Sequence, residues 1–195
     1  PFHNEGAQSL TADGKKMYYT ACRGNCNIYV SERESDNKWG TPKKLPAPVN
    51  LDHTSEKQPS ISPDGRSLYF VSNRGGGHGL YDIWVSHQDN EGQWGQPQNL
   101  GDSINTRFTE QAPFIHFDNQ TLYFSSDGHI GMGRLDIYVA KKLNDTTWSA
   151  PKNLGYPINT HRDEEGLIVN AKGTTAYFSS DINPKVGKDI FCLLY

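Results

Sequence analysis

Short apolar runs separated by Gly, Asp, Asn and Pro recur along the chain. Leu68-Tyr69-Phe70-Val71, Leu122-Tyr123-Phe124 and Ala176-Tyr177-Phe178 form one set, and Ile83-Trp84-Val85, Ile137-Tyr138-Val139 and Ile190-Phe191-Cys192 form a second. None alternates with polar residues, so both faces of each run are expected to be covered. The runs are too short, and too tightly bounded by breakers, to be buried helices. They predict β-strands held between stacked sheets.

The runs belong to a repeat. Glu56–Asn105 realigns onto Glu110–Asn159 after a shift of 54 residues; Glu5–Asn50 fits the same template 51 residues earlier, and Glu164 opens a fourth copy. A period of 51–54 residues made of short strands reads as an array of propeller blades. The expected fold is all-β, a β-propeller of four-stranded antiparallel blades. About four repeats are visible, at about 5–50, 56–105, 110–159 and 164–195, in one domain (1–195) or most of one. Within a copy, Asp13-Gly14, Asp64-Gly65, Asp118-Asn119 and Lys172-Gly173 mark a tight turn needing positive φ. The motifs Trp39-Gly40-Thr41-Pro42, Trp94-Gly95-Gln96-Pro97 and Trp148-Ser149-Ala150-Pro151 suit the outer edge strand, where a proline's missing N–H faces solvent. The fourth copy stops before such a motif, so the expectation is a propeller with one or more further blades; a four-bladed ring completed by a partner strand is the alternative.

Composition narrows the class. The chain has 195 residues, 19 Lys plus Arg, 22 Asp plus Glu and a net charge of −3, which gives no basic surplus for nucleic acid. With 34% hydrophobic residues and a mean hydropathy of −0.73, no apolar run approaches a membrane span, so direct membrane insertion is not expected. Cys22 and Cys26 flank Arg23-Gly24-Asn25 at the hairpin between the second and third strands. A disulfide there suits an oxidising, exported environment, with a redox or metal pair as the alternative. Cys192 replaces Val85 and Val139 and is expected to be a small buried apolar residue.

Pro59-Ser60-Ile61-Ser62-Pro63-Asp64-Gly65-Arg66-Ser67-Leu68-Tyr69-Phe70-Val71-Ser72-Asn73-Arg74 resembles the Pro-Asp repeat of WD-repeat-like bacterial envelope propellers, the family that includes TolB. Leu122-Tyr123-Phe124-Ser125-Ser126-Asp127 and Asn153-Leu154-Gly155-Tyr156-Pro157-Ile158-Asn159 are similar to an OmpA-family subgroup. There the propeller sits between tetratricopeptide repeats and an OmpA-type peptidoglycan-binding domain, as in the PorE component of the type IX secretion machinery. The resemblance implies a non-catalytic, periplasmic, outer-membrane-associated scaffold. Its partners would be protein or peptide segments of an envelope or secretion complex, and peptidoglycan only through a domain outside this chain. Asn27, where other copies have Asp82, Asp136 and Asp189, and Lys172, where they have Asp13, Asp64 and Asp118, depart from the repeat.

Candidate chemistry gathers on one face. Loops joining second to third strands, and those joining one blade to the next, emerge together in a propeller and form the channel mouth. Glu5, Glu56, Glu110 and Glu164 recur just before the innermost strand. They could ring the mouth for a cation or a peptide amino end, or cap backbone N–H groups of the neighbouring blade. Arg74, His78, Arg107, Phe108, His129, Met132, Arg134, His161 and Arg162 differ between copies. Arg with aromatics or Met suits protein recognition. Asp82, Asp136 and Asp189 read as loop-fixing hydrogen bonders. Gly75-Gly76-Gly77-His78-Gly79 lacks a following Lys-Ser/Thr and reads as a mobile hairpin end. No metal, no cofactor and no catalytic residue is assigned: the seven His are scattered and no nucleophile elbow occurs. A glycan-binding or glycan-active propeller, and the regulatory propeller of a peptidase, remain open as alternatives.

Overall fold

The computed structural model describes residues 4–183 and 187–194, which form sixteen strands and no helix. Blade 1 contains β1 (Asn4–Leu10), β2 (Lys16–Arg23) and β3 (Asn25–Ser35), with a split outer strand, β4 (Lys38–Trp39) and β5 (Lys43–Lys44). Blade 2 runs through β6 (Glu56–Ile61), β7 (Ser67–Ser72), β8 (Asp82–His87) and β9 (Gln98–Asn99). Blade 3 repeats it with β10 (Glu110–Ile115), β11 (Thr121–Ser126), β12 (Asp136–Lys141) and β13 (Lys152–Asn153). Blade 4 has β14 (Glu164–Val169), β15 (Thr175–Ser180) and β16 (Asp189–Leu194), and among the described residues no strand pairs with β16 beyond β15. All sheet pairings are antiparallel and follow chain order, which gives four blades of a β-propeller.

The expected turns are present: Gly14, Gly65, Asn119 and Gly173 take φ of 65, 72, 56 and 70°. The Trp-x-x-Pro expectation needs adjustment. Trp94 and Trp148 make only isolated bridges, to Gln88 and Lys142, and the paired outer strand begins after Pro97 and Pro151. The proline breaks the edge rather than lying within it.

Stacking of blades explains the unalternated runs. Tyr18 and Ile28 of blade 1 join Ile61, Leu68, Phe70 and Trp84 of blade 2 in one core; Tyr69, Val71, Ile83 and Val85 of blade 2 join Ile115, Leu122 and Phe124 of blade 3 in the next. Ile137 and Tyr123 continue the pattern onto Leu167, Ala176 and Phe178 of blade 4. Blades 2 and 3 thus bury both faces by packing on a neighbour at each side. The forward face of blade 4 lacks such cover among the described residues, leaving Tyr177, Ile190 and Leu194 exposed. The same geometry corrects Cys192, which is exposed rather than buried because among the described residues nothing stacks on that face of β16.

The innermost strands β1, β6, β10 and β14 pack side by side around the axis. Each carries a bulge just after its second or third residue, where Ala7, Gln58, Ala112 and Gly166 adopt φ of 49, 52, 49 and 71°.

Candidate functional site

The loops after the second strands and the connections between blades do meet on one face. Tyr81 pairs with Thr109 and Leu135 with Asp163 in parallel bridges, and the Leu80 N–H donates to the Phe108 carbonyl at 2.7 Å. Two polar devices hold this face, and both recur. Asn50, Asn105 and Asn159 are buried, and each binds one third-strand residue through both amide atoms. Asn105 Oδ1 accepts the Ile83 N–H at 2.8 Å while its Nδ2 donates to the Ile83 carbonyl at 3.0 Å; Asn50 and Asn159 do the same to Ile28 and Ile137.

The second device corrects the glutamate ring. Glu56, Glu110 and Glu164 are 0% exposed and do not line the mouth. Glu110 accepts the Thr106 N–H at 2.8 Å, the Thr106 hydroxyl at 2.8 Å and the Ser126 hydroxyl at 2.7 Å; Glu164 takes the equivalent bonds from Thr160 and Ser180. Burial pushes the Glu110 carboxyl pKa up, opposed by those bonds. These carboxylates cap an N–H group as the structural reading expects, but they knit the connection to its own blade rather than to a neighbouring one. Glu5 is exposed and stands opposite Ala21, where the other copies have serine.

Arg74 is likewise structural. It is buried, its guanidinium lies 3.3 Å from Glu56, and it donates to the Pro48 and Val49 carbonyls. His129 is half-buried between Phe124 and Tyr138, with Nε2 2.8 Å from the Ile104 carbonyl. The glycine-rich segment is not a free hairpin end: Asp82 accepts the His78 and Gly79 N–H groups, and Asp136 does the same for Met132 and Gly133. A Cβ on Gly133 would stand 2.0 Å from the Arg162 carbonyl oxygen, so only glycine allows this approach. Asp82 and Asp136 therefore fix loops as expected, whereas Asp189 is exposed.

What the pinned loops present to solvent is apolar and cationic. Ile130 is 97% exposed, Leu80 65%, Met132 51% and Phe108 40%. Arg107 lies over the Phe108 ring at 4.9 Å, and Arg134, exposed, is 3.8 Å from Asp163. His78 is exposed, and Arg162 is half-buried beside Gly133. Sequence reasoning named Arg107, Phe108, Met132 and Arg134 but missed Leu80 and Ile130, whose only signal was an apolar residue inside a glycine-rich loop.

The axis itself carries a second feature that sequence reasoning missed. Residues alternate on the inner strands, so the position after each glutamate is the one turned away from the clamp. It is Gly6, Lys57, Gln111 and Glu165, different in every blade. Gln111 Nε2 donates to Glu165 at 2.6 Å, and the Lys188 ammonium pairs with the other oxygen of Glu165. Glu165 of this row, but neither Lys57 nor Gln111, lines a mainly apolar cavity of about 630 Å³ bounded by all four inner strands, with Phe114, Ile168 and Phe117 on its wall. Among the described residues no group of three or more His, Cys, Asp or Glu could hold a metal ion. Cys22 and Cys26, paired across β2 and β3, are disulfide-bonded.

No protein-family model matches the chain, and no curated protein matches its sequence. Solved structures do match. TolB from Acinetobacter baumannii superposes with a TM-score of 0.62 at 17% identity, over 91% of this chain and 38% of that one. The fold is that of the TolB-like β-propellers. It is shared with the α-L-arabinofuranosidase of Lactobacillus brevis (TM-score 0.64, 14% identity, 97% of this chain and 72% of that one). A puromycin hydrolase also matches (TM-score 0.53, 13% identity, 99% of this chain and 27% of that one). This propeller therefore spans well under two thirds of the TolB chain it matches, and at these identities the likeness is one of fold.

Proposed function

We propose that this chain is a non-catalytic binding propeller of the bacterial periplasm that engages a protein or peptide partner at its loop face. The supporting observation is the set of Leu80, Phe108, Ile130 and Met132, held out to solvent on loops pinned by Asp82, Asp136 and the buried Asn and Glu residues. Exposed apolar groups that a rigid scaffold presents together, flanked by Arg107 and Arg134, suit a protein interface. The Cys22–Cys26 disulfide favours an exported location. The Leu122–Asp127 and Asn153–Asn159 segments favour an outer-membrane-associated secretion or envelope complex of the OmpA-linked kind. The glycan-active alternative has less support, because three of the four recurring glutamates are buried and fully engaged.

The test is capture from an envelope extract with partners identified by mass spectrometry. Leu80→Asp combined with Ile130→Asp is expected to lose them while the melting temperature stays that of wild type. An unchanged set of partners would remove the loop face from the function.

A further inference from the structure

Blades 1–3 cover the outer side of their third strands with one recurring segment. Residues 39–50, 94–105 and 148–159 all read Trp-x-x-Pro-x-x-Leu-x-x-x-(Ile/Val)-Asn. The N–H groups of Leu45, Leu100 and Leu154 donate to the carbonyls of Ile28, Ile83 and Ile137 at 3.0, 3.2 and 3.1 Å, and the closing asparagine grips the same isoleucine through both amide atoms. The segment's apolar pair packs beside that isoleucine: Leu45 and Val49 with Ile28, Leu100 and Ile104 with Ile83, Leu154 and Ile158 with Ile137. Its tryptophan reaches the preceding blade, where Trp94 meets Tyr18 and Trp148 meets Tyr69 edge to face with ring centres 6.1 Å apart.

Blade 4 keeps the positions that such a segment binds. Ile190 stands opposite Ser179 as Ile83 stands opposite Val71 and Ile137 opposite Ser125. Its backbone N–H and carbonyl therefore point away from β15, towards an edge on which no strand lies among the described residues. Ile190 is 80% exposed where Ile28, Ile83 and Ile137 are fully buried. Tyr123 isolates the cause. It takes the place of Tyr18 and Tyr69, and blade 4 already stacks on it, yet it is only half-buried where they are almost wholly covered. The group that covers Tyr18 and Tyr69 and has no counterpart here is the segment's tryptophan.

We infer that the β16 edge takes up, by strand addition, an extended segment of another polypeptide with the pattern Trp-x-x-Pro-x-x-Leu-x-x-x-(Ile/Val)-Asn. Its leucine N–H and asparagine amide would hold the Ile190 backbone, and its tryptophan would close on Tyr123. Main-chain bonds along an open edge supply affinity, and pockets for particular side chains supply specificity. A second folded copy has no such segment to lend, since all three are committed to their own blades. The edge includes none of Leu80, Phe108, Ile130 and Met132, so the inference stands or falls separately from partner binding at the loop face.

Fluorescence anisotropy of the whole chain with a labelled synthetic peptide of residues 148–159 tests it. One saturable site is expected, and Leu154→Asp or Asn159→Ala in the peptide should each weaken binding roughly tenfold or more, the second by removing two hydrogen bonds. The register is read through Cys192, the counterpart of Val139, which pairs with Lys152. A Lys152→Cys peptide should therefore form a disulfide with Cys192 under thiol exchange, whereas an Asn153→Cys peptide, its thiol on the opposite face, should not. Absence of saturable binding, affinity unchanged by both peptide substitutions, or equal cross-linking of the two cysteine peptides would overturn the inference. A dimer in solution that shields Cys192 from alkylation and shuts out the peptide would overturn it too, by giving the edge to a second copy.

Discussion

Replacing Asn105 by Asp changes one atom type and separates shape from hydrogen-bond polarity. Asn105 is 1% exposed, and its Nδ2 donates to the Ile83 carbonyl at 3.0 Å and to Asn99 Oδ1 at 2.9 Å. An ionised Asp would keep the Ile83 N–H bond but set oxygen against oxygen at both other contacts. The carboxyl escapes by staying protonated. If burial and the facing oxygens raise its folded pKa by about 3 units, the cost at neutral pH is about 4 kcal/mol at ~1.4 kcal/mol per unit. For a chain of this size that lowers the melting temperature by roughly 8–16 °C. The sign with pH follows from proton uptake. Below the raised pKa the folded state holds a proton that the unfolded chain does not, so the deficit shrinks as pH falls towards the ordinary Asp pKa of about 4. Asn105→Ala, losing three bonds at ~1 kcal/mol each, should cost about 3 kcal/mol with no such recovery. Thermal unfolding of wild type and both variants at neutral and acidic pH measures the gaps. An Asp deficit that stays constant across that range would refute the assignment of Nδ2 as an obligatory donor.

Three further outcomes are expected. Burial opposes ionisation of Asp118, but bonds from the Thr121 hydroxyl, the Gln120 and Thr121 N–H groups and Lys141 hold its carboxyl well below the usual range. The advantage of wild type over Asp118→Asn should be full above about pH 4 and fade on acidification, read from melting temperatures; an advantage that grows in acid contradicts it. Gly133→Ala should lower the melting temperature far more than Gly75→Ala, because its Cβ would meet the Arg162 carbonyl while nothing lies within 4 Å of the other; equal effects would remove the close-approach argument. Alkylation of the native, unreduced protein should label Cys192 alone, and reduction should release Cys22 and Cys26; native labelling of Cys22 would argue against the bond.

The repeat, the blade architecture and the turn chemistry were legible because each rests on local rules: unalternated apolar runs, Gly or Asn at positive φ, and a fixed period. The glutamates were harder. A carboxylate surrounded by donors can be as well buried as a leucine, and those donors arrive from Thr106 and Ser126, one on each side of Glu110 in sequence. The signal was present in the threonine four residues before, and the serine sixteen residues after, Glu110 and Glu164. Asn50, Asn105 and Asn159 closed each copy with the same regularity. Cys192 could not be placed by pattern, since its burial depends on what stacks against β16 and not on β16 itself. Leu80 and Ile130 sit where glycine-rich sequence suggested looseness, and the anchoring groups, Asp82 and Asp136, follow them in the chain.

Ahead of its bulge, each inner strand divides labour between adjacent residues. Glu110 answers to the architecture and Gln111 to the bore, though they share a peptide bond. Selection can therefore rewrite the contents of the bore one letter per blade, trading Lys57, Gln111 or Glu165 for other chemistry, while the scaffold registers no change.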